Sequence, residues 1–328
     1  MIYISRCPLR LSLLGGTSDL DWFVNDNGRG FTIGCSIALY SRVITSFSSR
    51  SDRGILNYSS REIYSDCDDI THPIIRETLK SLEIKNAIEL CSFGEKESGQ
   101  GLGSSSSFTV ALLSSLSKLI GKSFSNIELA HLASEVEITR LNYPIGRQDQ
   151  YHCALGGVNF IEFRKNGKIA SHSYQNIASG IRKYLSDLYL LNLGIKRSAS
   201  ATLQKLKESI ESRKRIEGIL EDTDSFIEQA KNASINDIEL FLEESLIKTW
   251  NKKKALEGVY NGKVSNAEKF IQECNFKVLK LIGAGGGGYF LIKYKGKNFA
   301  KDRGKLEEAN LYLQKIVLDE EGCVSCEI

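Results

Sequence analysis

The chain lacks any uninterrupted apolar run long enough to cross a bilayer, so no membrane partner is expected. It also lacks long blocks of like charge, and its net charge of +3 is small for a protein whose partner is nucleic acid. The first residues, Met1-Ile2-Tyr3-Ile4-Ser5-Arg6, do not have the charged-then-apolar layout of a secretory leader and read as a strand. Eight cysteines are scattered, and the closest pair, Cys323 and Cys326, has no second pair or histidine near it. Zinc is therefore not expected, and eight unpaired thiols in a reducing, cytoplasmic compartment are. Prolines number three and histidines four, and there is no internal repeat. His72, His131 and His152 are expected to be structural or solvated rather than catalytic. What remains is a soluble chain of 328 residues, 41% apolar and 25% charged, long enough for two medium domains.

Strands are expected over Ile2–Leu14, interrupted by Pro8, and over Ile33–Phe47, Ile84–Cys91, Gly156–Phe163 and Leu188–Leu193. Two more, Phe276–Ile282 and Tyr289–Tyr294, flank a glycine run. Ser48–Asp69 carries little pattern. Helices are expected from the serine run to about Ile120 and from Ser125 or Asn126 to about Leu141. Further helices are expected from Ser198 to Tyr260 with breaks near Gly218 and Ala233, and from Gly304 to Val317. Strands and helices mix without regular alternation, which points to an α+β fold divided between Phe163 and Leu188.

The most informative segment is Gly101-Leu102-Gly103-Ser104-Ser105-Ser106-Ser107, followed at once by a helical pattern. Glycines let backbone N–H groups approach an anion, and a helix N-terminus adds unpaired donors and about half a positive charge. The serines can cap the helix, bind phosphate oxygens or ligate Mg²⁺. The run contains no Gly-Lys-Ser/Thr triplet, so it is not a Walker A loop.

Two other segments bear on it. In Gly146-Arg147-Gln148-Asp149-Gln150-Tyr151, an aspartate between two amides is a candidate base for a hydroxyl attacking phosphorus. In Gly283–Gly288, five of six residues are glycine. The spacing satisfies the dinucleotide fingerprint, but a strand follows where a helix should, so that match is false. The excess over a hairpin's needs suggests that Gly285, Gly286 and Gly287 lie close to a ligand.

Together these segments resemble the GHMP kinase superfamily, in order and across most of the chain. Its first motif is similar to Cys7–Asp19, its second to Gly101–Ser106 and its third to Ile282–Gly288. The resemblance implies a two-domain fold: a ribosomal-S5-like α+β domain over 1–175 and a ferredoxin-like α+β domain over 176–328, with the active site in the cleft between them. It implies ATP on Gly101–Ser107, and Mg²⁺ on Ser105 and on Glu137, twelve residues before Asp149. Asp149 matches the catalytic aspartate. Arg10 takes the place of a basic residue near it, which would favour an anionic sugar oxygen. Asp19, with Gly16 and Thr17, falls where sugar hydroxyls are bound.

Galactokinases carry Gly-Glu-His-Thr-Asp where this chain has Gly15-Gly16-Thr17-Ser18-Asp19, so galactose is not the expected substrate. The form present resembles the branch acting on heptose phosphates. That implies transfer to the anomeric O1 of D-glycero-α-D-manno-heptose 7-phosphate, toward a GDP-activated heptose for bacterial surface glycans. An L-fucokinase-like 1-kinase and a catalytically silent sugar sensor are the alternatives. Lys196, Arg197 and Ser198, between a strand and a helical pattern, with Arg147, are candidates to hold the sugar's phosphate. A monomer or homodimer is expected.

Overall fold

The computed structural model describes residues 1–50, 52–96, 99–195 and 209–328. Its strands form two sheets. The first is built on two long antiparallel neighbours, β1 (Ile2–Leu14) and β2 (Arg29–Phe47). Short strands extend it: β3 (Gly54–Asn57), β4 (Arg61–Tyr64), β5 (Ile88–Gly94), β6 (Val158–Arg164) and β7 (Ile169–His172). The second contains β8 (Leu188–Asn192), β9 (Phe276–Leu281), β10 (Tyr289–Tyr294) and β11 (Leu313–Lys315). Its order, β11-β8-β10-β9 with antiparallel neighbours, is that of a ferredoxin-like sheet. The last strand, β12 (Val324–Glu327), returns to pair with β1 in the first sheet. The fold is α+β.

Helices α1 (Asp21–Asn27), α2 (Pro73–Ser81), α3 (Ser104–Leu119), α4 (Asn126–Ser134) and α5 (Gln148–Leu155) belong to the first half. The second half carries α6 (Gln175–Leu185), α7 (Ile210–Ala230), α8 (Ile235–Lys254), α9 (Gly262–Glu273) and α10 (Phe299–Glu308). β1 is buried on both faces. Cys7 faces the cluster under α3 and α4, while Leu9, Leu11 and Leu13 join a second cluster. That second cluster continues through Ile181 and Leu185 of α6 into Leu190, Leu279 and Leu291 of the other sheet. A leucine buried in this way contributes on the order of 2 kcal/mol, so the apolar seam holds the two sheets together.

Four expected elements differ. Pro8 does not break β1. The strand runs through it, and the pairing with β2 shifts register between Pro8 and Leu9, so the missing N–H falls at an irregularity. Gly218 does not break α7, because α8 packs on it and Lys252 Nζ donates to its carbonyl at 2.6 Å. The expected helix over Gly304–Val317 begins earlier and stops at Glu308. Asn310 turns left-handed (φ 58°), and Leu313 pairs with Leu191. The Ser48–Asp69 stretch holds the β3–β4 hairpin.

Candidate active site

α3 starts directly after Gly103, which occupies the cap position at φ 76°, ψ 25° with no side-chain cap. Gly101 also has positive φ, 87°, so both conformations favour glycine. An uncapped helix start leaves its first N–H groups available to an anion. The cleft in front of it is lined from this loop by Gly101, Gly103, Ser104, Ser105 and Ser106. Two members of the run turn inward instead. Leu102 is buried in the apolar seam, and Ser107 Oγ donates to Cys7 O at 2.8 Å, fastening α3 to β1.

Ser105 and Ser106 reach the same carboxylate. Ser105 Oγ donates to Glu137 Oε1 at 2.7 Å and Ser106 Oγ to Oε2 at 2.8 Å. Glu137 sits where the expected helix 126–141 gives way: α4 ends at Ser134 and a π-helical turn, Glu135–Arg140, follows. Such a turn re-aims a side chain within a helix. Glu137 is fully buried. Burial pushes its carboxyl up, and the hydrogen bonds from Ser105, Gln150 and Ser106 pull it back. A buried carboxylate with neutral donors and hydroxyl neighbours is a fitting oxygen environment for Mg²⁺. Among the described residues no group of three or more His, Cys, Asp or Glu side chains could hold a metal.

Three successive residues at the start of α5 each serve a different charged partner. Neighbours on a helix point about 100° apart. Gln148 turns to Asp19: its N donates to Oδ2 at 3.0 Å and its Nε2 to Oδ1 at 2.8 Å. Asp149 turns to Arg10, whose Nε donates to Oδ1 at 2.7 Å and Nη2 to Oδ2 at 2.5 Å. Gln150 Nε2 donates to Glu137 Oε2 at 2.6 Å. Arg10 also donates from Nη1 to Gly101 O at 2.6 Å, so one buried guanidinium links the glycine loop to Asp149. Burial pulls that guanidinium down, but Asp149 outweighs it and holds it above its usual value.

The loop after β1 completes the cleft. Gly16, Thr17 and Asp19 line it. Thr17 takes a strained φ of 83°, and its N donates to Asp19 Oδ1 at 3.1 Å. Ser12 Oγ donates to Gln148 Oε1 at 2.7 Å, extending the network. Burial pushes the Asp19 carboxyl up to about 6, against the pull of the Gln148 backbone N–H.

The structure thus brings together Arg10, Gly16, Thr17, Asp19, Gly101, Gly103, Ser104–Ser106, Glu137 and Asp149. Arg147 goes elsewhere, pairing with Asp21 at 2.7 and 3.0 Å outside this cleft. From the second glycine run, Gly283 and Ala284 line the cleft. Gly285 and Gly287 abut Val259 and Ile195, and Gly286 N donates to Val259 O at 2.8 Å. Lys196, Arg197 and Ser198 lie outside the described residues. His152 is buried against Thr32 Oγ1 at 3.0 Å and pushed down to about 3, chiefly by burial.

Sequence reasoning missed Gln148 and Gln150, although their position on either side of Asp149 was the available signal. It also missed Lys253, which lines the cleft from the far wall. A second, open pocket adjoins Ser104 and Ser105, with Tyr58, His72, Phe93, Lys96 and Phe108 around it. The His72 ring lies 4.8 Å from Tyr58 and 5.5 Å from Phe108.

Residues 72–157 match the family model for the GHMP kinases N terminal domain. The chain is 27% identical to the D-glycero-alpha-D-manno-heptose 7-phosphate kinase of Campylobacter jejuni, over 99% of this chain and 98% of that one. It superposes with TM-score 0.76 on a D-glycero-D-manno-heptose 1-phosphate kinase from Bacteroides thetaiotaomicron, 18% identical, covering 99% of both chains. The mevalonate kinase of Methanococcus jannaschii gives 0.69 at 18% identity, over 96% of this chain and 98% of that one. Residues 72–157 thus match a GHMP kinase N-terminal domain, and the likeness to kinases along the chain supports an ATP-dependent sugar kinase. Among the described residues no helix is long and apolar enough to cross a membrane.

Proposed function

We propose that the protein transfers a phosphoryl group from ATP to the anomeric O1 of D-glycero-α-D-manno-heptose 7-phosphate, giving the 1,7-bisphosphate. In this reading it is a cytoplasmic enzyme supplying GDP-heptose for bacterial surface glycans. The observation that carries the phosphoryl-transfer reading is Asp149, gripped by Arg10 and facing the uncapped start of α3 across one cleft. The choice of sugar is supported by the full-length similarity to the Campylobacter heptose 7-phosphate kinase.

In this mechanism the N–H groups at the start of α3 and the Ser104 and Ser105 hydroxyls receive the nucleotide phosphates. The aromatic pocket of Tyr58, His72 and Phe108 receives the base. Glu137 with Ser105 would hold Mg²⁺, which neutralises phosphate charge when bound. Asp19, oriented by Gln148, accepts hydrogen bonds from sugar hydroxyls. Asp149 orients the O1 hydroxyl and takes its proton, while Arg10 fixes both carboxylate oxygens so that one orientation persists.

The test is ADP release with Mg-ATP and a panel of seven- and six-carbon sugars, each with and without a terminal phosphate, with the product located by NMR. The reading requires heptose 7-phosphate to be the best acceptor and phosphate to appear on O1. Better turnover of free L-fucose would replace it with the fucokinase-like reading.

A further inference from the structure

Helix α8 ends in three successive lysines, Lys252, Lys253 and Lys254. Neighbours on a helix diverge by about 100°, so the three face different ways. Lys252 Nζ bonds to Asp222 Oδ2 at 2.7 Å and to the Gly218 carbonyl of α7. Lys254 Nζ bonds to Glu268 Oε1 at 2.7 Å and lies over the rings of Trp250 and Tyr260. Lys253 turns the other way. It is 5% exposed, donates to Gly283 O at 2.6 Å, and lines the same cleft as Asp19 and Asp149.

Charge in the cleft gives that direction its meaning. Asp19 and Asp149 line the first-half wall, with Glu137 buried behind Ser105 and Ser106, and a phosphorylated acceptor brings further negative charge toward them. Arg10, on the same wall, is gripped bidentately by Asp149. Lys253 lines the opposite wall, and the end of a helix is where a cation is favoured. Lys280, a fully buried lysine of β9, ties the second sheet to β1: its Nζ donates to Ser12 O at 2.9 Å and Leu13 O at 2.6 Å. Burial, Lys253 and Arg10 together push the Lys280 amine well down. Ser12 and Leu13 lead directly into the Gly15–Asp19 loop. Lys253 lines one cleft with Gly16, Thr17 and Asp19 of that loop, within reach of the acceptor side.

We infer that Lys253 determines acceptor specificity by binding the phosphate monoester on the sugar. The inference rests on the phosphorylated acceptor proposed above. It is tested by steady-state kinetics of the wild type, Lys253→Met, Lys253→Gln and Lys253→Arg with Mg-ATP and either D-glycero-α-D-manno-heptose 7-phosphate or the same heptose without its phosphate. Both neutral variants should raise KM for the phosphorylated sugar by about 10- to 200-fold, the worth of one charge-assisted hydrogen bond. KM for ATP and turnover of the free heptose should hold, and Lys253→Arg should recover much of the loss. An unmoved KM for the phosphorylated sugar in a folded neutral variant overturns the inference. So does a rise in KM for ATP alone, which would put the cation on the nucleotide's phosphates. Equal kcat/KM of the wild type on both heptoses would instead remove the phosphorylated-acceptor reading, independently of any variant.

Discussion

The two glycine-rich loops face each other across one cleft, and their glycines answer different demands. In Gly101–Ser107 the glycines at φ 87° and 76° line the cleft, and a Cβ on Gly103 would press on the Arg10 side chain at 3.0 Å, beside Asp149. In Gly283–Gly288 the first two residues line the cleft, but the later glycines abut the protein's own backbone and side chains. A Cβ on Gly285 would lie 2.6 Å from Val259 Cγ1, one on Gly287 2.7 Å from Ile195, and one on Gly288 2.3 Å from Gln100 O. Glycine marks a close approach in both loops, but composition does not say to what. The following element separates them: a helix start offers free N–H groups to an anion, and a strand start commits its N–H groups to a sheet.

If the first-half wall carries the chemistry, its largest lever is Asp149. Asp149→Asn should lower kcat by about 10²–10⁴-fold, the usual worth of a positioned base. KM for ATP should move little, because the start of α3 is untouched. The variant should also melt lower, since the buried Arg10 loses its ionic partner. Retention of wild-type kcat would take the base role away from Asp149.

The loops themselves offer a sharper pair. Gly285→Ala meets strain at φ 102° and the Val259 side chain, costing about 1–3 kcal/mol of stability. Its KM for ATP should stay at the wild-type value. Gly288→Ala should cost as much, but its Cβ presses on the Gln100 carbonyl, one residue before Gly101. It should therefore also raise KM for ATP. Thermal melting and ATP kinetics on both variants check this. A Gly285→Ala protein with normal melting and impaired binding would return that glycine to the ligand.

This pair also marks how far the sequence could be read. The first-half wall was legible because its parts are local. The Gly-x-Gly-Ser run opens a helix, Asp149 sits in a polar helix start, and Asp19 follows a glycine turn. The π-turn at Glu135–Arg140 was not legible, because one extra residue per turn leaves no compositional mark; a continuous helix was expected there. Nor was Lys253, which on the sequence is the middle of three equivalent lysines until packing assigns its neighbours to Asp222 and Glu268. The return of β12 to β1 rests on contacts between the two ends of the chain, which no window of sequence contains.

The smallest effect is a pH dependence, and it tests whether acceptor recognition belongs to the first-half wall. Burial raises the Asp19 carboxyl to about 6, the Gln148 N–H opposes this, and the charge of Asp149 adds to it. The folded value lies above the unfolded one of about 3.9. Between those values the folded state holds the extra proton, so ionising Asp19 costs the fold stability as pH rises through that window. The ionised form is nevertheless the one that accepts hydrogen bonds from sugar hydroxyls. kcat/KM for the acceptor should therefore fall below pH 6, by about tenfold per unit once the carboxyl is protonated. KM for ATP should show no limb at that pH. Asp19→Asn should lower the plateau and remove the limb, because an amide does not titrate. In Asp149→Asn the residual activity should keep the limb but move it to lower pH, since the neighbouring negative charge that raises Asp19 is gone. Gly285→Ala should leave it in place, because the second glycine loop does not touch Asp19. A limb near pH 6 that survives Asp19→Asn would assign the titration, and with it acceptor recognition, to another group.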